Sequence, residues 1–327
     1  MTLRRRSLLL AATAAPLAAP RFGHAQGAWP NRPVRILNPY APGGTSDLII
    51  RPLLDRLERA FGRPFVVENK AGAGGTLATG EAARVAPDGH TLLISNTGPL
   101  SVAPFLFTNL AYDPKRAFTW VGMLGGAPIV CAVKGDGPIR DLAQYRALAA
   151  RGAEEVSFGS SGIGSLGHLT GVMWGMQAGV RMLHVPFRGA SEAQQSVLGN
   201  NTTSLWDTSG ANAGAIRGGL LRGIAVSSAQ RISAMPDVPT VGEAGFPGAV
   251  ATNWFLMAGP AGMDPGIAAR VNEVLQQGLN DPTVKERLES VGVVSLGNPS
   301  PNEIAAFVAA EADRWGPVVR AAGVQPS

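Results

Sequence analysis

The chain is 327 residues long, with 28 lysines and arginines, 23 aspartates and glutamates, and a single cysteine. That length accommodates two domains of ordinary size, and one cysteine excludes an internal disulfide framework. Arg4, Arg5, Arg6 and Arg21 fall in the first 25 residues, which hold no acid; without them 24 basic residues face 23 acidic ones, and so balanced a chain offers no electrostatic case for binding nucleic acid.

The first element is a targeting segment. Arg4-Arg5-Arg6 precedes an apolar, small-residue run, and Gly23-His24-Ala25 places small residues where a signal peptidase needs them, so cleavage is expected before Gln26. The run is shorter than the roughly 20 apolar residues of a membrane span. A general secretory signal and a twin-arginine signal both fit Arg5-Arg6-Ser7-Leu8-Leu9. Either directs the protein to the periplasm.

Beyond it, short β-rich runs alternate with helical patterns, which predicts parallel sheets in an α/β architecture. A strand over 34–37 leads to a helix over 47–61, with Leu53, Leu57 and Phe61 on one stripe. Pro52 is expected to remove a hydrogen bond from that helix or kink it. A strand over 65–68, a helix over 76–85 and a strand over 91–94 complete the first unit. Strands over 120–124 and 129–133 open a second. It continues with a helix over 141–149, a strand over 156–158, a helix over 166–177, a strand over 182–185, a helix over 191–198, and strands over 204–206 and 223–226. Residues 251–258 read as a return strand. Asp264-Pro265, Asp281-Pro282 and the capping box Ser300-Pro301-Asn302-Glu303 then mark three helix starts, expected to cover the first sheet. The reading is a signal over 1–25 and two lobes, 26–125 with 253–327 and 126–252.

Three glycine- and hydroxyl-rich loops sit where strands hand over to helices: Asn38-Pro-Tyr-Ala-Pro-Gly-Gly-Thr-Ser-Asp47, Lys70-Ala-Gly-Ala-Gly-Gly-Thr76 and Gly159-Ser-Ser-Gly-Ile-Gly-Ser165. Such junctions gather ligands in parallel sheets, because free amides and the helix dipole attract anions. Thr45 and Ser46 add hydroxyl donors, and Asp47 is expected to cap its helix. No lysine completes a phosphate cradle, and no dinucleotide fingerprint fits. A turn that binds nothing stays open as a reading.

A nucleophile is the competing reading of the third loop. Ser161 lacks the second glycine of a nucleophile elbow, yet His168, His184 and Asp207 leave a triad open. Arg188 reads either as a carboxylate clamp or as a solvated base. Asp207 reads either as an acceptor for a ligand hydroxyl or amine, or as a helix cap. Trp254 and Phe255 read as packing. Cys131, in an apolar run, is expected to be a buried small side chain. No metal-ligand spacing is present, so neither a metal nor a cofactor is expected.

One family ties these features together. The chain resembles the Bug (Bordetella uptake gene), or TctC-like, solute receptors of tripartite tricarboxylate transporters. The resemblance runs from "WPNRPVRILNPYAPGGTSD" through "VVENKAGAGG", "PDGHTLLISN", "YDPKRAF", "SSGIGSLGHL", "HVPFRG", "PDVPTVGEAGFPG" and "DPTVKERLESVG" to "DRWGPVVRAAGV". It implies a two-lobed periplasmic-binding fold of the Venus flytrap kind, with a small carboxylate held between lobes by amides, hydroxyls and bridging waters. By motif, the implied first-lobe contacts are Tyr40, Ala41, Gly43, Gly44, Thr45, Asn96 and Thr97. Those of the second lobe are Ser161, Gly164, Ser165, Phe187 and Asp207. Pro52 departs from the family pattern, residues 96–98 lie where the family varies, and Phe187 stands where tyrosine is common. The resemblance further implies membrane permease subunits as partners and no catalysis, and a diffusing receptor is expected to be a monomer. The alternatives are a ligand sensor feeding a signalling partner, and a periplasmic hydrolase using Ser161 and His168.

Overall fold

The structure, a computed structural model, describes residues 29–321; the signal segment and its cleavage site lie outside the described residues. In chain order the first elements are β1 (Val34–Asn38), α1 (Thr45–Phe61), β2 (Phe65–Asn69), α2 (Thr76–Ala82) and β3 (Thr91–Asn96). A wide turn over Gly98–Val102 leads into α3 (Ala103–Leu106), and β4 follows over Phe118–Lys134. Then come α4 (Leu142–Ala149), β5 (Ser157–Ser160), α5 (Leu166–Ala178), β6 (Leu183–Pro186), α6 (Ala190–Leu198), β7 (Ser204–Thr208), α7 (Ser209–Arg217) and β8 (Leu221–Val226). The chain closes with β9 (Thr252–Pro260), α8 (Pro265–Leu279), α9 (Pro282–Glu289) and α10 (Pro301–Ala321).

The strands lie in the order β2-β1-β3-β9-β4-β7-β5-β6, with β8 also on β4. Pairings among β1, β2 and β3, and among β5, β6 and β7, are parallel, as the alternating pattern predicts. The exceptions are β4, β8 and β9, which pair antiparallel. The two runs expected as separate strands near 120 and 129 are one 17-residue strand. Its first part, through Pro128, pairs with β9, and from Ile129 onward it pairs with β7 and β8. The architecture is two-lobed, a β1-side lobe and a β7-side lobe, with β4 running through both.

Apolar periodicity explains each core. Ile49, Ile50, Leu53 and Leu57 of α1 are fully buried against Val34, Ile36, Leu92 and Ile94, with Val271 and Leu275 of α8 alongside. Phe61 is partly buried and packs edge-on to Trp29. α1 runs unbroken through Pro52. The β7-side core gathers Cys131, Phe158, Trp174 and Trp206. Burial there pushes the Cys131 thiol pKa well up, so it stays an inert apolar side chain.

The three C-terminal helices start at the expected caps, with Asp264 accepting from Gly266 N and Asp281 from Thr283 N and Val284 N. α8 and α9 cover the first sheet as expected. α10 differs: Ile304 and Val308 join the β1-side core, whereas Trp315 and Val319 join the β7-side core. Trp254 Nε1 and Trp315 Nε1 both donate to Glu311 Oε2, at 3.0 and 3.1 Å, fastening α10 to β9. A helix of 21 residues is long enough to span both lobes.

Candidate functional site

β1, β5, β6 and β7 each end at the start of a helix, and those starts face one cavity between the lobes. From the β1 side it is lined by Tyr40, Gly44, Thr45, Ser46, Asn96, Asn253 and Phe255. From the other side it is lined by Ser161, Ser165, Leu166, Gly167, Ala190, Asp207 and Thr208. Its volume is about 20 Å³, the scale of a single water. No lysine or arginine lines it.

The first loop is shaped from within. Gly43 takes a left-handed conformation, φ +85°, that a side chain would resist. Asp47, expected as a cap, instead reaches back from the first turn: it accepts from Gly43 N at 2.8 Å, Asn38 Nδ2 at 3.0 Å and Arg51 at 3.0 Å. The N-cap is Gly44, whose side contributes no capping bond. The first intrahelical bond is Leu48 N to Gly44 O. The amides of Thr45, Ser46 and Asp47 therefore have no acceptor within the helix.

In the opposite lobe, Ser165 caps α5 by accepting from His168 N at 3.3 Å. Leu166 and Gly167 precede the first intrahelical bond, Leu169 N to Ser165 O, so their amides are also without helical partners. The two helices bring positive dipole ends to one space from opposite sides.

Asp207 sits at the end of β7, buried to 4% exposure. Its carboxylate accepts from Ser161 Oγ at 2.5 Å, from Thr208 N at 2.7 Å and from Thr208 Oγ1 at 3.3 Å. Burial raises its pKa, and the bonds from Ser161 and Thr208 oppose that rise. Tyr40, buried, donates to Asn96 Oδ1 at 3.1 Å, and burial raises its pKa too.

The groups of the hydrolase reading are brought close without forming a triad. Ser161 is bound to Asp207, whereas His184 Nε2 is 2.7 Å from Ser160 Oγ. His168 Nδ1 accepts from Gly164 N at 3.2 Å, so this histidine supports the loop. The two imidazoles stack with centroids 3.8 Å apart. Burial lowers the His168 pKa to about 4, and burial together with its neighbour lowers that of His184 further.

Of the residues expected at the site, Tyr40, Gly44, Thr45, Asn96, Ser161, Ser165 and Asp207 line the cavity. Five lie beside it. Ala41 meets the opposite lobe, its amide donating to Arg188 O at 3.3 Å. Gly43 turns the first loop. Thr97 Oγ1 accepts from Trp254 N at 3.4 Å. Gly164, at φ +77°, lies under Leu106. Phe187 packs against Gly159 and Ala193 on the flank of β5. Arg188 is exposed and touches the first lobe through its carbonyl, away from the cavity. The expectation that Trp254 packs holds, and Phe255 reaches the cavity as well. Missed were Asn253, Leu166, Gly167, Ala190 and Thr208; only the last carries a signal, as a hydroxyl at a helix start.

Across the cleft, Thr45 Oγ1 lies 2.6 Å from Thr208 Oγ1, and Ser191 Oγ donates to Pro42 O at 3.1 Å. The backbones approach still more closely at the 70–76 loop. A Cβ on Gly74 would stand 2.1 Å from Ile163 O.

Known proteins share this fold. The family model for the tripartite tricarboxylate transporter family receptor matches residues 49–324. The structure of periplasmic binding protein BugD is 32% identical, covers 91% of this chain and 100% of its own, and superposes with a TM-score of 0.87. MatC from Rhodopseudomonas palustris with bound malate is 30% identical over 89% of this chain and 100% of its own, TM-score 0.84. A second R. palustris protein, with adipate, is 29% identical over 91% and 100%, TM-score 0.87. With the same two-lobed α/β fold and a family match that begins in α1 and spans most of the chain, the protein belongs to the tripartite tricarboxylate transporter receptor family.

Proposed function

We propose that the protein is an exported, monomeric receptor that closes its lobes on a small organic carboxylate and presents the loaded form to the permease of a tripartite transporter. One observation carries this reading: amides without helical partners, at helix starts from both lobes, converge on a single cavity. Each start attracts negative charge, and only closure presents both sets to one ligand. The relatives holding malate and adipate support the carboxylate class. The periplasmic relatives and the arginine-led leader support export. The lobe assignment goes with it: 26–125 with 253–327 moves against 126–252.

The cavity has room for about one water, so a carboxylate enters only when the lobes part and reseats them around itself. Ser161 Oγ donates to Asp207, while the imidazoles bond Ser160 and Gly164, an arrangement that favours capture over turnover. The test is a thermal-shift screen of mature protein against mono-, di- and tricarboxylates, with mass spectrometry of the ligand afterwards. Ligand that binds only the folded state raises the midpoint by mass action. A shift with an unaltered acid supports the receptor; product formation, or no shift with any acid, overturns it.

A further inference from the structure

The hydroxyls around the cavity differ from what their number suggests, because each has one proton to place. An ionised carboxylate only accepts, so Ser161 spends its proton on Asp207. Thr208 Oγ1 spends its own on Asp207 as well. Either hydroxyl can donate across the 2.6 Å contact between Thr45 and Thr208; with the Thr208 proton turned to Asp207, Thr45 is the donor. Tyr40 donates to Asn96 Oδ1, Ser46 to Asn38 Oδ1 at 2.8 Å, and Ser165 to Ser160 Oγ at 3.2 Å. All six protons are aimed at protein acceptors, and the cavity is offered lone pairs.

The site therefore has two unlike walls. Amides at the starts of α1 and α5 form a donor wall suited to a carboxylate. Asp207, with the oxygens of Ser161, Thr45 and Thr208, forms an acceptor wall. Asn253 adds to it: the residue is 6% exposed, lines the cavity, and its Oδ1 has no hydrogen-bond partner among the described residues. No lysine or arginine side chain lines the space to offset the Asp207 charge.

We propose that the ligand is a carboxylate bearing a hydroxyl or ammonium group, and that Asp207 reads that donor. This rests on the receptor reading and narrows it. Asp207 already accepts from Ser161 and Thr208, but a plain acid would set a second anion or hydrocarbon against its remaining lone pairs with no proton between them. A hydroxyl or ammonium supplies the missing proton in a charge-assisted bond. Sites built to pair with a polar group reject analogues that lack it.

The experiment is calorimetric titration of the mature protein with matched sets: succinate, malate and aspartate, then glutarate, 2-hydroxyglutarate and glutamate. In at least one set the hydroxy or amino acid should bind about ten-fold or more tightly than the unsubstituted acid, and which of the two wins names the donor. Asp207→Asn should reduce that ratio to about three-fold or less, with the unsubstituted acid bound as well or better. The wild-type comparison stands without the variant, should Asp207→Asn not fold. Unsubstituted acids that match or beat their partners in both sets would overturn the donor requirement while leaving the receptor intact. No binding by any of the six, with no shift in the wider screen, would overturn the receptor reading itself.

Discussion

Thr45 and Thr208 are 163 residues apart in sequence, yet their hydroxyl oxygens lie 2.6 Å apart, each at the start of a helix on an opposing lobe. Because the bond joins the two lobes, the proposed opening would break it, so it is expected to contribute to closure and not to the stability of either lobe. Thr45→Val keeps the branched shape that Gly210 packs against and removes the bond. A net loss of about 1 kcal/mol is expected, which is about a five-fold weaker affinity by calorimetry with an unchanged melting temperature. Unchanged affinity would mean that Thr45 plays no part in closure.

Gly44 separates folding from binding. Its backbone is ordinary extended chain, φ −75° and ψ 171°, and a Cβ there would meet only Ala41 O at 3.6 Å. Gly44→Val should fold with a circular dichroism spectrum like the parent's. The added methyls would cover the amides at the start of α1, so affinity should fall by about 100-fold or more. A folded variant that still binds would remove α1 from the site.

Two glycines test where the close approaches lie. A Cβ on Gly74 would meet Ile163 O of the other lobe, and one on Gly167 would meet Trp206 O of its own lobe, each at 2.1 Å. Gly74→Ala is expected to hold the lobes apart, with a larger radius of gyration by small-angle scattering and weakened binding. Its left-handed φ of +63° adds a cost of about 1 kcal/mol. Gly167→Ala should instead lower the melting temperature markedly, since α5 must shift off β7. Equal melting temperatures for the two would contradict this division.

The stacked histidines set a pH dependence. Burial holds His168 at about 4 and His184 lower, below the ordinary value near 6.5. The unfolded chain therefore takes up protons first as pH falls. The stability that goes with neutral imidazoles is complete above pH 6.5 and is lost on acidification from there to about pH 4, at up to about 1.4 kcal/mol per pH unit for each histidine. Urea unfolding at pH 7.5, 6.0 and 5.0 should show this decline. Asp207 acts with opposite sign: its raised pKa relieves strain as pH falls through it. A profile that stays flat between pH 7.5 and 5.0 in an Asp207→Asn background, where that opposing contribution is gone, would show that the imidazoles titrate normally.

Much of this was legible because the signals were local. Asp264, Asp281 and Ser300 announce their helices with a cap followed by proline, and Gly43-Gly44-Thr45-Ser46 announces a helix start after a strand. β4 was not legible as one strand, since Gly125, Gly126 and Pro128 resemble breaks; partners on both sides carry the strand through them. Asn253 and Phe255 reach the cavity only because β9 pairs with β3 and β4, a contact between segments well over 100 residues apart. The hydroxyls were legible as residues but not as acceptors. Their proton directions depend on Asp207 and on Thr208, which meets Thr45 only through the tertiary fold.

β4 and β9 remain hydrogen-bonded side by side up to the junction, through Ala127–Asn253 and Pro128–Thr252. A paired ribbon can twist and bend, but it shears only by breaking its ladder. Such a ribbon limits the ways in which the proposed lobe motion can take place. The register shifts between Trp120 and Gly122 and between Met123 and Gly125 loosen this ribbon on one side only. In the proposed receptor, its stiffness sets how much binding energy is left after bending, so substitutions at these shifts are expected to retune affinity from outside the cavity.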